Sequence, residues 1–197
     1  MDREKLKSIF EKKSFTVSFY DTGEDCKKAL CDMIPKDKSI AFGGSKTLEA
    51  IGLKEALEQK GVRVIWHWDK TQKNALKDAR LADYYASSAN GVSETGEIVN
   101  IDGNGNRLSA LCYGHEKVFL VIGKNKLEKD LHSAIARAKF IAAVKNGERF
   151  GIKSDPEEKP EERFKKVEKL CRITQILEYA PSMQKTHLMF VDEELGF

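Results

Sequence analysis

Short apolar segments alternate with amphipathic segments along this chain, and that alternation limits its fold more than any other feature. The clearest apolar segments are SIAF (39–42), VRVIWHW (62–68) and KVFLVIG (117–123), each of strand length. Apolar residues recur at helical spacing in residues 24–34 and 131–144. Uniformly apolar strands alternating with helices are typical of a parallel sheet that is covered on both faces. The sequence therefore predicts an α/β fold with a mainly parallel sheet.

The length of 197 residues predicts a single domain over residues 1–197. Residues 1–35 are expected to form an N-terminal helix and strand that lead into it. A hairpin is expected at 91–101 because turn residues stand at Thr95-Gly96, and a loop with a further turn at Asp102-Gly103 is expected to follow it. The other predicted elements are helices at 2–13, 53–59, 71–81, 108–113 and 164–170, strands at 14–20, 82–90, 172–179 and 187–195, and an exposed charged loop at 151–162.

Composition limits the classes of partner. The formal net charge is only +3, with acidic and basic residues interspersed, so no basic stripe predicts a nucleic-acid partner. No apolar stretch approaches the ~20 residues of a membrane span, and the charged start MDREKLKSIF lacks the apolar region of a secretory signal. We therefore expect a cytoplasmic protein with no membrane partner.

The residue types that bind metals lack metal-ligand spacing. The four cysteines, Cys26, Cys31, Cys112 and Cys171, form no CxxC pair, and the histidines form no HxxxH or HxH pair. The stretch NIDGNGNR (100–107) resembles a calcium loop but lacks the final glutamate and the flanking helices of an EF-hand. No metal is predicted.

The stretch IAFGGSKTLEAIGL (40–53) allows two interpretations. It matches neither GxxxxGK[ST] nor GxGxxG, so neither nucleotide motif applies. Gly43 and Gly44 can form a tight turn that Ser45 ends as a helix cap. Alternatively, the backbone amides can bind an anion, assisted by Lys46 and Thr47. This stretch by itself leaves both open.

Other polar loops also follow predicted strands, at Asn90, at 100–107 and at 123–126. Ligands of parallel α/β sheets bind outside the carboxyl ends of the strands, so these loops are expected to meet in one cleft. Arg107 can bind a carboxylate or phosphate there, although a polar turn with local hydrogen bonds also explains the loop. His67, between two tryptophans, is interpreted as a structural or surface residue, and Arg137 as facing solvent.

Four segments in sequence order, GGSKTLEAIGL, ADYYASSANGVSETGEIVNIDGNGNRLSALCYG, KVFLVIGKNKL and VDEELGF, resemble the LUD (lactate-utilisation domain) family. The resemblance implies the fold of the sugar-phosphate isomerase and CoA-transferase superfamily. That fold is a Rossmann-like, mainly parallel sheet flanked by helices, with an added antiparallel hairpin portion. It also implies a role in bacterial organic-acid metabolism, beside iron–sulfur proteins in a system that oxidises L-lactate to pyruvate.

The resemblance and the loop positions together predict a site for a small anionic metabolite. Glu94 and Asp102 are the candidate catalytic carboxylates. The predicted ligand-binding residues are Gly43, Gly44, Ser45, Lys46, Thr47, Asn90, Gly105, Asn106, Arg107, Gly123, Asn125 and Lys126.

Two departures from related sequences shape the functional hypotheses. Many relatives carry a cysteine-rich stretch near the C-terminus, where this chain keeps only Cys171, so we expect no metal, no cofactor and no redox role. Several CoA transferases use a glutamate before an Asn-Gly turn, and this chain has Ala89 there, which removes the nucleophile of that route.

Three hypotheses follow. The first is a non-redox subunit that binds a small anion within a lactate-oxidising complex. The second is a stand-alone enzyme of the sugar-phosphate isomerase or formyltetrahydrofolate cyclo-ligase type, which needs Glu94 or Asp102 as a base. The third is a scaffold whose cleft stays vacant. The sequence leaves self-association into a homo-oligomer open.

Overall fold

Ten strands and nine helices build the fold, and the computed structural model describes all 197 residues. The strands are β1 (Thr16–Tyr20), β2 (Ser39–Phe42), β3 (Arg63–Trp66), β4 (Tyr84–Ser87), β5 (Gly91–Ser93), β6 (Ile98–Asp102), β7 (Lys117–Gly123), β8 (Leu127–Glu128), β9 (Ile173–Leu177) and β10 (Lys185–Val191). The helices are α1 (Arg3–Lys12), α2 (Gly23–Met33), α3 (Lys46–Ala50), α4 (Leu53–Lys60), α5 (Ala75–Asp78), α6 (Asn106–Cys112), α7 (Leu131–Arg137), α8 (Val144–Arg149) and α9 (Pro160–Val167). None of these helices has the length and apolar character needed to cross a membrane.

Six strands form one parallel sheet in the order β1-β10-β7-β4-β2-β3. Its central strand β7 is buried on both faces from Val118 onward, which explains why its sequence is apolar after Lys117. Val118, Leu120 and Ile122 enter the core on one face, whereas Phe119 and Val121 enter the core on the other. The α/β fold with a mainly parallel sheet, predicted from the sequence, is confirmed.

Helices cover both faces of this sheet. On one face α2, α3 and α4 pack through buried residues such as Cys26, Leu48 and Leu57. On the other face α1, α5 and α6 pack through residues such as Phe10 and Leu111, together with the second sheet. The layers hold the carboxyl ends of β2, β4 and β7 side by side at one edge of the domain.

The second sheet has four strands in the order β8-β5-β6-β9. The predicted hairpin is present as antiparallel β5 and β6, with Gly96 at a φ of 102° in its turn. β9 extends it in antiparallel fashion, whereas β8 pairs with β5 in parallel, so the added portion is a mixed sheet. Val99 and Ile101 pack against Ala134 and Ala138 of the helix that crosses its outer face.

Several element boundaries differ from the sequence prediction. The strand expected at 187–195 ends at Val191, and the following tail folds back over the sheet edge, where Glu193 accepts a hydrogen bond of 2.8 Å from the Gly23 N–H. The helix expected at 71–81 is only α5 and a 3₁₀ turn. The helix expected at 131–144 continues through a π-helical stretch (138–143) into α8, and α9 begins at Pro160, inside the expected loop.

Candidate functional site: a cationic cleft

A cleft of about 610 Å³ opens where β2, β4 and β7 end. Its inner wall consists of the loop after β2 (44–47), the loop after β4 (88–90) and Lys126 in the 3₁₀ turn after β7. Residues 101–104 at the end of β6, and the first turn of α6, close one side. The carboxyl ends of parallel strands are where open α/β sheets bind ligands, so the topology brings the predicted loops together.

The opposite wall comes from segments that the sequence analysis did not connect with the site. Ala138, Ala142 and Asn146 face the cleft from the helix that runs through α7 and α8, and Arg149 and Phe150 end that wall. Ala138, Ala142 and Asn146 are four residues apart, a spacing that places side chains on one face of a helix. Residues 169–172, before β9, complete this wall. Nothing in their local sequence predicted that they line the cleft.

Lys126 lies at the floor of the cleft with its side chain almost fully buried, at 1% exposure. Its Nζ donates hydrogen bonds of 2.8 Å to Thr47 Oγ1 and to Ser88 Oγ, and it makes no ion pair with a carboxylate. Burial, and next the guanidinium groups of Arg137 and Arg107, hold the pKa of Lys126 well below the usual value for lysine.

Arg137 faces inward, so its interpretation as a solvent-facing residue is wrong. It is 4% exposed, and its guanidinium donates to the main-chain carbonyls of Asn125, at 2.7 Å, and of Asn90. These two carbonyls belong to loops that line or support the cleft. Arg137 therefore links the loop after β4 to the loop after β7 by hydrogen bonds to both.

Arg107 lies in the first turn of α6 with its side chain 15% exposed. One terminal nitrogen donates to the carbonyl of Ile101 and, at 3.2 Å, to Asn90 Oδ1. Its Nε is 4.0 Å from Asp102 Oδ2 and is buried without a hydrogen-bond partner. A buried guanidinium N–H left unpaired carries a desolvation cost.

Asp102, one of the two candidate catalytic carboxylates, lines the cleft. It accepts hydrogen bonds from the backbone N–H groups of Asn104, at 3.2 Å, and of Arg107, at 3.1 Å. Both bonds shape the loop that leads into α6. Glu94, the other candidate, lies outside the cleft and forms an ion pair of 2.6 Å with Lys5.

The Gly-Gly-Ser loop forms a tight, capped turn. A Cβ on Gly43 would lie 2.9 Å from Tyr85 Oη and 3.1 Å from Arg107 Cδ, so this position has no room for a side chain. Ser45 Oγ accepts from the Leu48 N–H at 3.3 Å, as a helix cap does. The loop from Gly44 onward also lines the cleft.

The predicted ligand-binding residues divide into two groups. Eight line the cleft: Gly44, Ser45, Lys46, Thr47, Asn90, Asn106, Arg107 and Lys126. The other four support the walls instead: Gly43, Gly105, Gly123 and Asn125. Among these, Asn125 fastens the C-terminal tail, because its side chain accepts from the Leu195 N–H at 3.1 Å and donates to the Gly196 carbonyl at 3.2 Å.

His67 follows β3, because that strand ends at Trp66, and so it lies in a loop and not within the strand. It borders the cationic cleft and also a second cavity of about 380 Å³, which Asn106 borders as well. Burial lowers the pKa of His67, so the neutral ring is favoured at neutral pH. The second cavity is lined partly by the stacked rings of Tyr85 and His115, whose centroids are 5.1 Å apart.

Comparisons with known proteins place this chain in a family. The model of the family described as LUD domain matches residues 3–191. A crystal structure of a DUF162 family protein from Deinococcus radiodurans, at 1.70 Å resolution, is similar with a TM-score of 0.54 and 12% identity. The similarity covers 97% of this chain and 99% of that one, and at this identity it concerns the fold. No curated protein matches the sequence significantly.

Proposed function

This chain belongs to the LUD domain family, which is associated with lactate utilisation, and from that premise we propose that it binds a small organic-acid anion in the cationic cleft. In this proposal it is a non-redox subunit of a cytoplasmic system that oxidises L-lactate to pyruvate, and iron–sulfur proteins are its partners. The argument for the ligand comes from the charges in the cleft.

Positive charge in the cleft greatly exceeds negative charge. Asp102 is the only acidic side chain in the lining, and it already accepts two backbone hydrogen bonds. The positively charged side chains in the lining are Lys46, Arg107, Arg149, Lys169 and Arg172, in addition to the buried amine of Lys126. Clefts lined by one sign of charge concentrate ligands of the opposite sign, which favours an anionic metabolite over a neutral one.

The unpaired Nε of Arg107 is the single observation that carries this proposal. A carboxylate that reaches this nitrogen accepts a charge-assisted hydrogen bond from a donor that otherwise stays buried and unsatisfied. Asn90 Oδ1 and the Ile101 carbonyl already fix the orientation of the guanidinium. The anion site is therefore preorganised, which reduces the entropy cost of binding.

A thermal-shift panel tests this proposal, with L-lactate, pyruvate, sugar phosphates, CoA esters and nucleotides as ligands. A ligand present at about 100 times its Kd stabilises the folded state by about 2.7 kcal/mol. We expect an organic acid to raise the Tm of the wild type. Arg107→Gln should remove this response, whereas Arg63→Gln, on an exposed residue at the opposite end of β3, should retain it.

A panel in which no anion stabilises the wild type contradicts the proposal, as does an equal response from Arg107→Gln. Co-purification with an iron–sulfur protein and no ligand response would instead favour the scaffold with a vacant cleft.

A stand-alone enzyme is the second candidate, and the position of Asp102 in the cleft favours it. A general base must reach the proton that it removes, which Asp102 can do and Glu94 cannot from its ion pair with Lys5. Turnover of a sugar phosphate or a formyl-folate substrate that Asp102→Asn abolishes and Glu94→Gln preserves would support this candidate.

A further inference from the structure

Lys126 Nζ has two hydrogen-bond partners, and both are neutral hydroxyl groups. Thr47 Oγ1 donates its proton to the Leu195 carbonyl at 3.1 Å, and Ser88 Oγ donates its proton to the Val121 carbonyl at 2.5 Å. Because a hydroxyl has one proton, both oxygens can only accept from Lys126. Lys126 Nζ thus donates two hydrogens to these oxygens, and its third position around the nitrogen contacts no protein donor or acceptor.

The charges around Lys126 also favour the neutral amine. The charged groups that act on it are Arg137 from α7 and Arg107 from α6, both positive. The carboxylate of Asp102 lies beside Arg107, and that of Glu128 acts on Arg137, but neither forms an ion pair with Lys126. A lysine that is desolvated and placed beside other cations gives up its proton more readily than a free lysine, which makes its amine a better nucleophile.

We propose that the Lys126 amine forms an imine with the carbonyl carbon of a small 2-oxo acid whose carboxylate is bound by Arg107. The inference rests on the proposed anion site, and it names the ligand class of that site. Lys126 borders the same cleft as Arg107 and lies within reach of its charge, and in the proposal one ligand presents its carboxylate to the arginine and its adjacent carbonyl to the amine.

The step is a condensation and needs no oxidant. The lone pair of Nζ attacks the carbonyl carbon, and the carbonyl electron pair moves to oxygen. Two protons from the amine nitrogen pass to that oxygen, which leaves as water while the carbon–nitrogen double bond forms. Thr47 and Ser88 hold Nζ at the floor of the cleft and so direct the attack.

Reductive trapping tests the proposal. The purified protein is incubated at neutral pH with glyoxylate, pyruvate, 2-oxobutyrate or 2-oxoglutarate in the presence of sodium cyanoborohydride, and intact mass and peptide mapping locate any adduct. We expect one adduct, on Lys126, with at least one of these acids. L-lactate has no carbonyl beside its carboxylate and should give none.

Matched variants assign the adduct. Lys126→Arg and Lys126→Met should both lose it, since neither side chain can form an imine. Lys124→Arg should keep it, because Lys124 belongs to the same turn but pairs with Asp192 at 3.3 Å on the surface. Peptide mapping of the wild type decides the matter even where a variant fails to fold.

The outcomes separate this inference from the proposed function. Reversible binding of 2-oxo acids that Arg107→Gln abolishes, without any adduct on Lys126, overturns the imine and leaves the anion site standing. An adduct that persists in Lys126→Arg also overturns it. Absence of both binding and adduct, across the whole panel, overturns the anion site and the imine together.

Discussion

Lys126 Nζ donates a 2.8 Å hydrogen bond to Thr47 Oγ1, although 79 residues separate the two along the chain. The contact joins the turn after β7 to the first turn of α3. Thr47 also donates to the Leu195 carbonyl, so one hydroxyl connects the floor of the cleft with the C-terminal tail. A change at Thr47 therefore affects both.

Thr47→Val tests the stabilising part of this contact. The substitution keeps the volume but removes one acceptor of Lys126 and the donor to Leu195, in a fully buried place. We expect the free energy of unfolding to fall by about 1–3 kcal/mol, measured by urea denaturation. Thr174→Val, on an exposed position of β9, is the control and should change it by less than about 0.5 kcal/mol. Equal effects of the two substitutions would refute the role of Thr47.

Arg137→Met tests the electrostatic effect of the inner cation. Removing a positive charge near Lys126 raises the pKa of the Lys126 amine, since the ammonium form meets less repulsion. We expect the pH range in which 2-oxo acids are trapped to move upward. Arg63→Met, on an exposed residue, should leave it unchanged. A pH profile identical to that of the wild type would show that Arg137 does not act on Lys126.

Arg137→Met should also lower stability. The carbonyls of Asn125 and Asn90 lose their buried donor, so we expect the free energy of unfolding, measured by urea denaturation, to fall by about 1–3 kcal/mol.

Gly91→Ala tests the packing of the second sheet against α7. A Cβ on Gly91 would lie 2.4 Å from the Ala134 carbonyl oxygen, so the helix must move. We expect a cost of about 1–3 kcal/mol, seen as a lower Tm, and a weaker response to organic acids because α7 carries Arg137. Gly61→Ala strains a φ of 85° away from the cleft, and it should lower the Tm without changing that response. An unchanged ligand response in Gly91→Ala would contradict this coupling.

Asp83→Asn tests the acid sensitivity of the fold. Hydrogen bonds from the Ser39 backbone and hydroxyl, and the charge of Lys38, lower the pKa of Asp83 from 3.8 to about 2. Asp83 has a lower pKa in the folded protein than in the unfolded chain, so the unfolded chain binds a proton at Asp83 at a higher pH. The ionised carboxylate therefore stabilises the folded state above the unfolded pKa, and this stabilisation is lost as the pH falls to the folded pKa. Urea midpoints of the wild type should therefore decline between about pH 4 and about pH 2, and those of Asp83→Asn should decline less.

Asp155→Asn, in the exposed loop before α9, is the control for this pH dependence and should follow the wild type. If Asp83→Asn and the wild type decline in parallel, the hydrogen bonds to Ser39 do not stabilise the folded state as argued.

Local sequence was sufficient for much of the framework. β2 and β7 have the predicted bounds, Ser45 caps α3, and the hairpin turns near Thr95-Gly96. These features depend on residues close in sequence: apolar runs, a hydroxyl before a helix, and a glycine that adopts positive φ. The same local patterns, in family order, indicated the LUD family.

Elements whose form depends on distant partners were less predictable. β8 is only two residues long and exists because Val92 pairs with Leu127. The helix through α7 and α8 continues to Arg149 because it packs on the second sheet and on α9. Periodicity within a window of residues contains no record of such contacts, so boundaries and the mixed character of the second sheet could not be read from it.

The sequence by itself determined the alternation of strands and helices, and with it the edge of the sheet where polar loops meet. Only the tertiary structure decided which side chains enter the cleft: Lys126 and Arg137 turn inward, Glu94 stays outside, and Arg149 joins the opposite wall. Strand and helix periodicity follows from neighbouring residues, whereas the burial of a lysine against Thr47 and Ser88 follows from the packing of three strands that are distant in sequence.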